Sequence, residues 1–200
     1  ERLGYRYINT GAMYRAVAWK ADKAGSFLKD ELAIAQVAEK LNIEFVPNVD
    51  GQKIIVDGED VGSQLKSEEG GHGAATVASQ PQVRKILTDL QRKMGQEGKI
   101  VMEGRDIGTQ VFPSADKKFF FQADPEERGR RRYQELLTKG ESVDLQVIID
   151  QIRKRDLEDM NRSVAPLIQA EDALLVDTTH LGIEEAVIRV IELIGPRTAQ

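Results

Sequence analysis

The chain of 200 residues has no cysteine, two histidines (His72 and His180) and a single tryptophan. Disulfides and thiolate metal sites are therefore excluded, and two histidines are too few for a histidine-built metal centre. No resident metal is expected, and the absence of cysteine fits a reducing cytoplasm. No run approaches 18 apolar residues and no charged-then-apolar leader opens the sequence, so neither a membrane span nor a signal peptide is expected. H-E-x-x-H, paired C-x-x-C and G-x-S-x-G are all missing, which sets aside zinc-hydrolase, thiol-redox and serine-triad chemistry. A basic excess is missing too. Lys and Arg number 28 against 33 Asp and Glu, for a net charge of -5 and a pI near 5.3. Polyanion binding would have to come from local arginine clusters.

What is present is a globular composition, 40% hydrophobic and 30% charged, with length for one large or two small domains. Apolar spacing predicts short strands at residues 5–8, 99–102, 117–121 and 174–177, alternating with helices, the pattern of an α/β chain with a mainly parallel sheet. Thr10 is expected to cap a helix over 11–24 that closes at Gly25, and Asp30 one over 31–41. Pro81 opens a helix to 94 that ends at Gly95. Asp124-Pro125-Glu126-Glu127 reads as a capping box for a helix that stops at Gly140. Further helices start near Asp144 and span 183–194. Residues 42–61 break this rhythm. They read as short antiparallel strands with turns at Asp50-Gly51 and Asp57-Gly58. The stretch SEEGGHGAATVASQP that follows reads as a mobile connection, and His72 within it as an incidental loop residue. Trp19 and the trio Phe119, Phe120 and Phe121 are expected in the core.

Three stretches could carry chemistry. In KIVMEGRDIGTQVFP a buried strand ends in Glu103-Gly104-Arg105-Asp106, and carboxyl ends of parallel strands are where ligands bind. Arg105 suits a phosphate and Asp106 a donor on a base or a cation; a turn with a structural Arg-Asp pair is the alternative. Arg155, Asp159 and Arg162 fall at i, i+4 and i+7, so they share one helix face. A solvated ion-pair face is the ordinary meaning of that spacing, against which the apolar Ser163-Val164-Ala165-Pro166 counts. Arg128, Arg130, Arg131 and Arg132 crowd the start of a helix. An RNA-binding patch, bland surface charge and a mobile arginine lid over phosphates all fit them.

Taken together, INTGAMYR, VASQPQVRKIL, EGRDIGTQVFP, KRDLEDMNRSVAPL and AEDALLVDTTHLGIEEAV resemble, in order and over essentially the whole chain, the bacterial cytidylate kinases. The resemblance implies a P-loop kinase fold of three layers: a parallel central sheet with helices on both faces and a small inserted antiparallel β subdomain. Residues 1–41 and 81–200 would form the core, with a lid around 125–140, and residues 42–80 the inserted nucleoside-monophosphate-binding part and its connection. It implies phosphoryl transfer from ATP with Mg2+ to CMP or dCMP by a monomer that binds small nucleotides, not nucleic acid or membrane. Arg15, Arg105 and Arg162 would hold the acceptor monophosphate. Thr10, Arg84 and Asp106 would read the cytosine edge, with Tyr14 among the substrate-binding residues. Arg155 and Asp159 would contact the sugar. Arg128, Arg131 and Arg132, with Arg162, would be the catalytic cations that close on ATP and stabilise the transferring phosphoryl group. An arginine-rich site without a general base suits such chemistry.

Four departures qualify this. Asn9 stands where the family usually has aspartate, Glu103 where it commonly has the first aspartate of DGRD, and Ala75 where a serine often lies near the sugar; the CMP against dCMP preference could shift. The largest is the lack of G-x-x-x-x-G-K-[ST]. GQEGK at 95–99 comes nearest, but it has two residues between its glycines, no Ser or Thr after the lysine, and a strand after it. The reading therefore expects an N-terminally incomplete copy of a kinase, with ATP binding and turnover lost if the molecule itself is short. A non-catalytic pyrimidine-nucleotide binder, a UMP or AMP kinase, and an RNA-binding module built on residues 128–132 are the rival functions.

Overall fold

The computed structural model describes residues 2–48, 51–66 and 68–195. The chain divides into two compact units, Glu1–Ile107 and Gly108–Gln200.

The first unit is organised around helix α1 (Thr10–Lys23), which follows strand β1 (Arg6–Asn9) without a linker. Strand β1 ends where Asn9 takes the N-cap position and its side chain accepts from the Ala12 N–H at 2.9 Å. The cap is thus Asn9 and not the expected Thr10. Asparagine is the stronger cap, and the Thr10 hydroxyl is already committed to the Glu103 carbonyl. Ala12, Ala16, Ala18 and Ala21 on α1 are buried with Met13 and Val17. Such small residues let α2 (Glu31–Lys40), α3 (Glu68–Ala78) and α4 (Pro81–Gly95) contribute to one core, in which Ile34, Val77, Val83 and Leu87 are fully buried.

Helix α3 corrects the expectation of a mobile connection. Its carboxyl half carries Gly73, Ala74, Val77 and Ala78, all buried. A Cβ at Gly73 would stand 3.0 Å from that of Ala18, so glycine serves close helix packing here and not loop freedom. The side chain of His72 lies outside the described residues.

The antiparallel insert is as expected in kind. Strands β2 (Ile43–Asn48), β3 (Gly51–Val56) and β4 (Glu59–Asp60) form one sheet with Ile43 opposite Val56. The turn from β3 to β4 runs through Asp57 at φ 50° and Gly58 at φ 85°, the left-handed pair that a tight hairpin requires. The turn expected at Asp50 lies outside the described residues. Strand β1 pairs in parallel with β5 (Ile100–Glu103), Asn9 opposite Glu103.

In the second unit, strands β6 (Phe119–Gln122) and β7 (Leu174–Asp177) pair in parallel with Gln122 opposite Asp177. The parallel strands expected from sequence are thus all present, as two separate pairs, one in each unit. Phe119 and Phe120 are half-buried, whereas Phe121 is exposed, against the expectation of a buried trio. Helices α5 (Pro125–Thr138) and α6 (Leu145–Asn161) pack together, and α7 (Ile183–Ile194) closes the unit with its predicted boundaries. Asp144 caps α6 as expected, accepting from the Gln146 and Val147 N–H groups. The capping box at Asp124 does not form. Its side chain makes no cap bond, its N–H goes to the Thr179 hydroxyl, and Glu127 is taken up by Arg130 and Arg131.

Helices α5 and α6 meet at Gly129, where a Cβ would stand 2.4 Å from Ile149 Cγ1. Alanine in place of a mid-helix glycine ordinarily stabilises by about 1 kcal/mol, whereas overpacking a close contact costs about 1–3 kcal/mol. Gly129→Ala is expected to lower the denaturant midpoint, with a net loss of about 1 kcal/mol; a rise in the midpoint would show that Ile149 yields freely.

Candidate functional site

In the first unit, the candidate residues gather at the carboxyl ends of β1 and β5. The turn after β5 approaches the start of α1 so closely that a Cβ at Gly104 would lie 2.4 Å from Thr10 Oγ1. Thr10, buried, donates to the Glu103 carbonyl at 2.7 Å and so ties the two strand ends together. Past Gly104 the chain exposes Arg105 and buries Asp106 before a single π turn at Ile107–Val111.

Asp106 meets Arg84, which reaches it from α4. The two form a short ion pair through Arg84 Nη2, with side chains 7% and 8% exposed. Arg84 Nη1 donates to the Ala78 carbonyl at 3.0 Å, and the guanidinium carbon lies 5.5 Å from the centre of the Tyr14 ring. An ion pair this deep is held only where hydrogen bonds and a polarisable neighbour offset its desolvation. Thr10, Tyr14, Arg84 and Asp106, four residues drawn from three separate sequence stretches, are thus brought together.

Beside them stands a smaller cluster that sequence reasoning passed over. Tyr7 and Asn9 alternate on one face of β1, with Glu103 opposite Asn9. Although Tyr7 is 38% exposed as a residue, partial burial of its phenol, and then the hydrogen bond to Glu103 and its charge, push it above its ordinary 10.0, while the Asn9 side chain and the Arg15 charge act the other way. Arg15 turns back over the start of its own helix, its Nη1 3.7 Å from where a Cβ at Gly11 would be. The signal was in the sequence, since Tyr7 and Asn9 are two apart on a strand, but the partner lies 94 residues downstream of Asn9 and only the register discloses it.

In the second unit, the arginines are each engaged. Arg128 forms a two-pronged pair with Asp156 on α6 and donates from Nε to the Ala123 carbonyl at 3.1 Å. The Asp156 carboxylate raises the Arg128 pKa further. Arg131 Nη2 reaches the carbonyls of Thr178 (2.6 Å), Thr179 (3.2 Å) and Leu181 (3.3 Å). Arg132 pairs with Glu135 one turn on, at 2.8 Å. The hydroxyl of Thr179, and then its N–H, hold the Asp177 carboxyl below the usual carboxylate range. Asp156, Asp177 and Thr179 were not singled out beforehand.

At the end of α6, Arg155 is exposed. Asp159 and Arg162 form a half-buried pair at 3.7 Å. Arg162 occupies the C-cap position, and its Nε and Nη2 donate to the carbonyls of Val164 and Ala165. The apolar Ser163-Val164-Ala165-Pro166 segment is therefore a turn wrapped on an arginine, with Ala165 at φ 50°.

Among the described residues no three acidic or histidine side chains are grouped so as to hold a metal, and no helix is long and apolar enough to cross a membrane. A cavity of about 490 Å3 between β7 and α7 is lined by Leu175, Val176, Leu181 and Ile188, with Asp177 and other charged residues at its edge. None of the site residues predicted from sequence lines it.

The Tyr7 shift has a testable sign. A phenol whose pKa rises on folding contributes stability below about pH 10 that is lost as pH climbs above it. Tyr7→Phe is expected to leave the phenolate absorbance gained near pH 10 unchanged and to make the alkaline loss of stability shallower. A quarter less absorbance near pH 10, one tyrosine of the four, would show that Tyr7 ionises freely.

Comparison with known proteins adds an independent line. A family model described as cytidylate kinase matches residues 1–195. The chain is similar to the cytidylate kinase of Geobacter sp. (strain M21), with 45% identity over 200 residues, all of this chain and 86% of that protein. It is 46% identical over 195 residues to that of Exiguobacterium sp. (strain AT1b), covering 96% of this chain and 87% of the relative. It is 44% identical over 195 residues to that of Carboxydothermus hydrogenoformans, covering 98% and 88%. The chain belongs to the cytidylate kinase family.

Proposed function

We propose that the protein transfers the γ-phosphoryl group of ATP to CMP or dCMP, giving CDP or dCDP. Its family supports the reaction class, and the observation that carries the choice of base is the buried Arg84–Asp106 pair. Arginine is a donor only and an ionised aspartate an acceptor only. Cytosine offers the complement, ring acceptors beside an exocyclic N4 donor, whereas uracil presents a ring N–H beside a carbonyl and clashes with both. Adenine shares cytosine's order of groups but adds a second ring.

The remaining roles follow the family resemblance. Arg15 and Arg105 in the first unit and Arg162 in the second are assigned to the acceptor phosphate, Arg155 and Asp159 to its sugar, and Thr10 and Tyr14 to the base end. Arg128 and Arg132 are assigned to the charge that spreads over the transferring group, whereas Arg131, which the resemblance groups with them, is committed to backbone carbonyls. The attacking atom is an oxygen of the CMP phosphate, already anionic, so no side chain needs to remove a proton. Its bond to the γ-phosphorus forms as the bond to ADP breaks, and positioning with electrostatic stabilisation supplies the rate. Mg2+ enters as part of the ATP complex. Residues 42–80 form the acceptor-side insert, and the protein works as a cytoplasmic monomer.

The test is turnover of ATP with CMP, dCMP, UMP and AMP in parallel. CMP and dCMP are expected to exceed UMP and AMP in kcat/KM by tenfold or more. Equal use of UMP, or binding of CMP with no turnover, would overturn the reading. Asp106→Asn keeps the shape but adds a donor that uracil O4 can accept. It is expected to lower the CMP to UMP ratio of kcat/KM roughly tenfold or more, the scale of one mispaired buried group. An unchanged ratio would remove Asp106 from the base edge.

A further inference from the structure

The turn that follows β7 is more heavily built than a connection to α7 requires. Asp177 Oδ1 accepts from both the N–H (2.8 Å) and the hydroxyl (2.6 Å) of Thr179. That hydroxyl, 9% exposed as a residue, accepts in turn from the Asp124 N–H at 3.1 Å, at the start of α5. The Thr178 N–H donates to the Gln122 carbonyl at 2.8 Å. The ends of β6 and β7 and the start of α5 are so joined into one piece. Arg131, from the second turn of α5, closes it: one nitrogen is shared among three carbonyls of the turn, while Nε lies 3.4 Å from Glu127.

This assembly lies at the carboxyl end of a parallel strand pair, the edge where open α/β sheets take their ligands. A guanidinium fixed to three carbonyls is also a poor candidate for a group that swings onto a phosphate. We infer that Arg131 is a positioning residue for the donor nucleotide, acting through the 178–181 turn and not on the transferring phosphoryl group. The inference rests on the proposed kinase reaction and changes the role that the family resemblance gives this arginine.

Steady-state kinetics on the full chain separate the two roles. Arg131→Met, Thr179→Val and the double variant are each expected to raise KM for ATP about five- to twentyfold. Throughout, kcat should stay within about threefold and KM for CMP should not move. Because both side chains serve one turn, the double variant should be little worse than either single one. Arg131→Lys should fall between wild type and Arg131→Met, since an ammonium can donate to the carbonyls but cannot at the same time keep a second nitrogen beside Glu127. A fall in kcat of a hundredfold or more at saturating ATP for Arg131→Met, with Thr179→Val like wild type, would place Arg131 on the phosphoryl group and overturn the inference. So would a parallel rise in KM for CMP, the mark of general loosening. Calorimetric titration with ATP alone reads the same loss of donor affinity if the acceptor proves not to be CMP. Unchanged ATP affinity in the variants, or none in the wild-type chain, counts against the inference itself.

Discussion

A guanidinium and a carboxylate removed from water together govern the first unit. Arg84 and Asp106 are both nearly closed off, and either alone would be an uncompensated charge of several kcal/mol in the interior. Several features read as conditions for keeping them paired. The Ala78 carbonyl at the end of α3 takes one donor of Arg84, the Tyr14 ring lies against its guanidinium, and Thr10 fixes the end of β5 from which Asp106 follows. Because α1 is lined with alanines, Tyr14 can come this close to α4 without a cavity. Replacing the pair by apolar residues of equal volume need not weaken such a core. What that would forfeit is a donor and an acceptor held side by side at a strand end.

The second unit follows the opposite economy. Four of its arginines sit near the surface yet are held by named acceptors: a carboxylate on the facing helix for Arg128, backbone carbonyls for Arg131 and Arg162, a neighbour on its own helix for Arg132. A mobile arginine lid, as read from the run of four, would need these bonds to be exchanged for phosphate oxygens. Exposed pairs such as Arg132–Glu135 can be exchanged at little expense. The half-buried fork to Asp156 and the triple carbonyl contact of Arg131 are costlier to exchange, so the four arginines are not equivalent although they lie close together in sequence.

Much of the fold was legible because it is local. The 3.6-residue period, Pro81, Asp30 and Asp144 placed five helices to within a residue or two, and Asp57-Gly58 marked its hairpin. Errors arose where composition misled. Gly70, Gly71 and Gly73 suggested a loose connection, since glycine is poor in helices, but the needs of packing against Ala18 outweighed that propensity. The Asp124 box failed because Glu127 had better partners than the backbone. At the site, the residue types were readable and the partners were not. Arg128 could have met any of Asp156, Glu158 and Asp159, and only the face that α6 turns toward α5 selects Asp156. Tyr7 and Glu103 were invisible as a pair for the same reason.

The contact at Gly104 reaches beyond geometry. The Thr10 hydroxyl fills part of the space that a side chain at 104 would claim, so position 104 cannot change by itself. Enlarging 104 requires both shrinking 10, which severs the tie to Glu103, and moving Ile107, whose Cδ1 stands 2.8 Å from the same Cβ position. In the drift of this sequence over time, glycine at 104 is held in place by two neighbours, so a single change at either one does not release it.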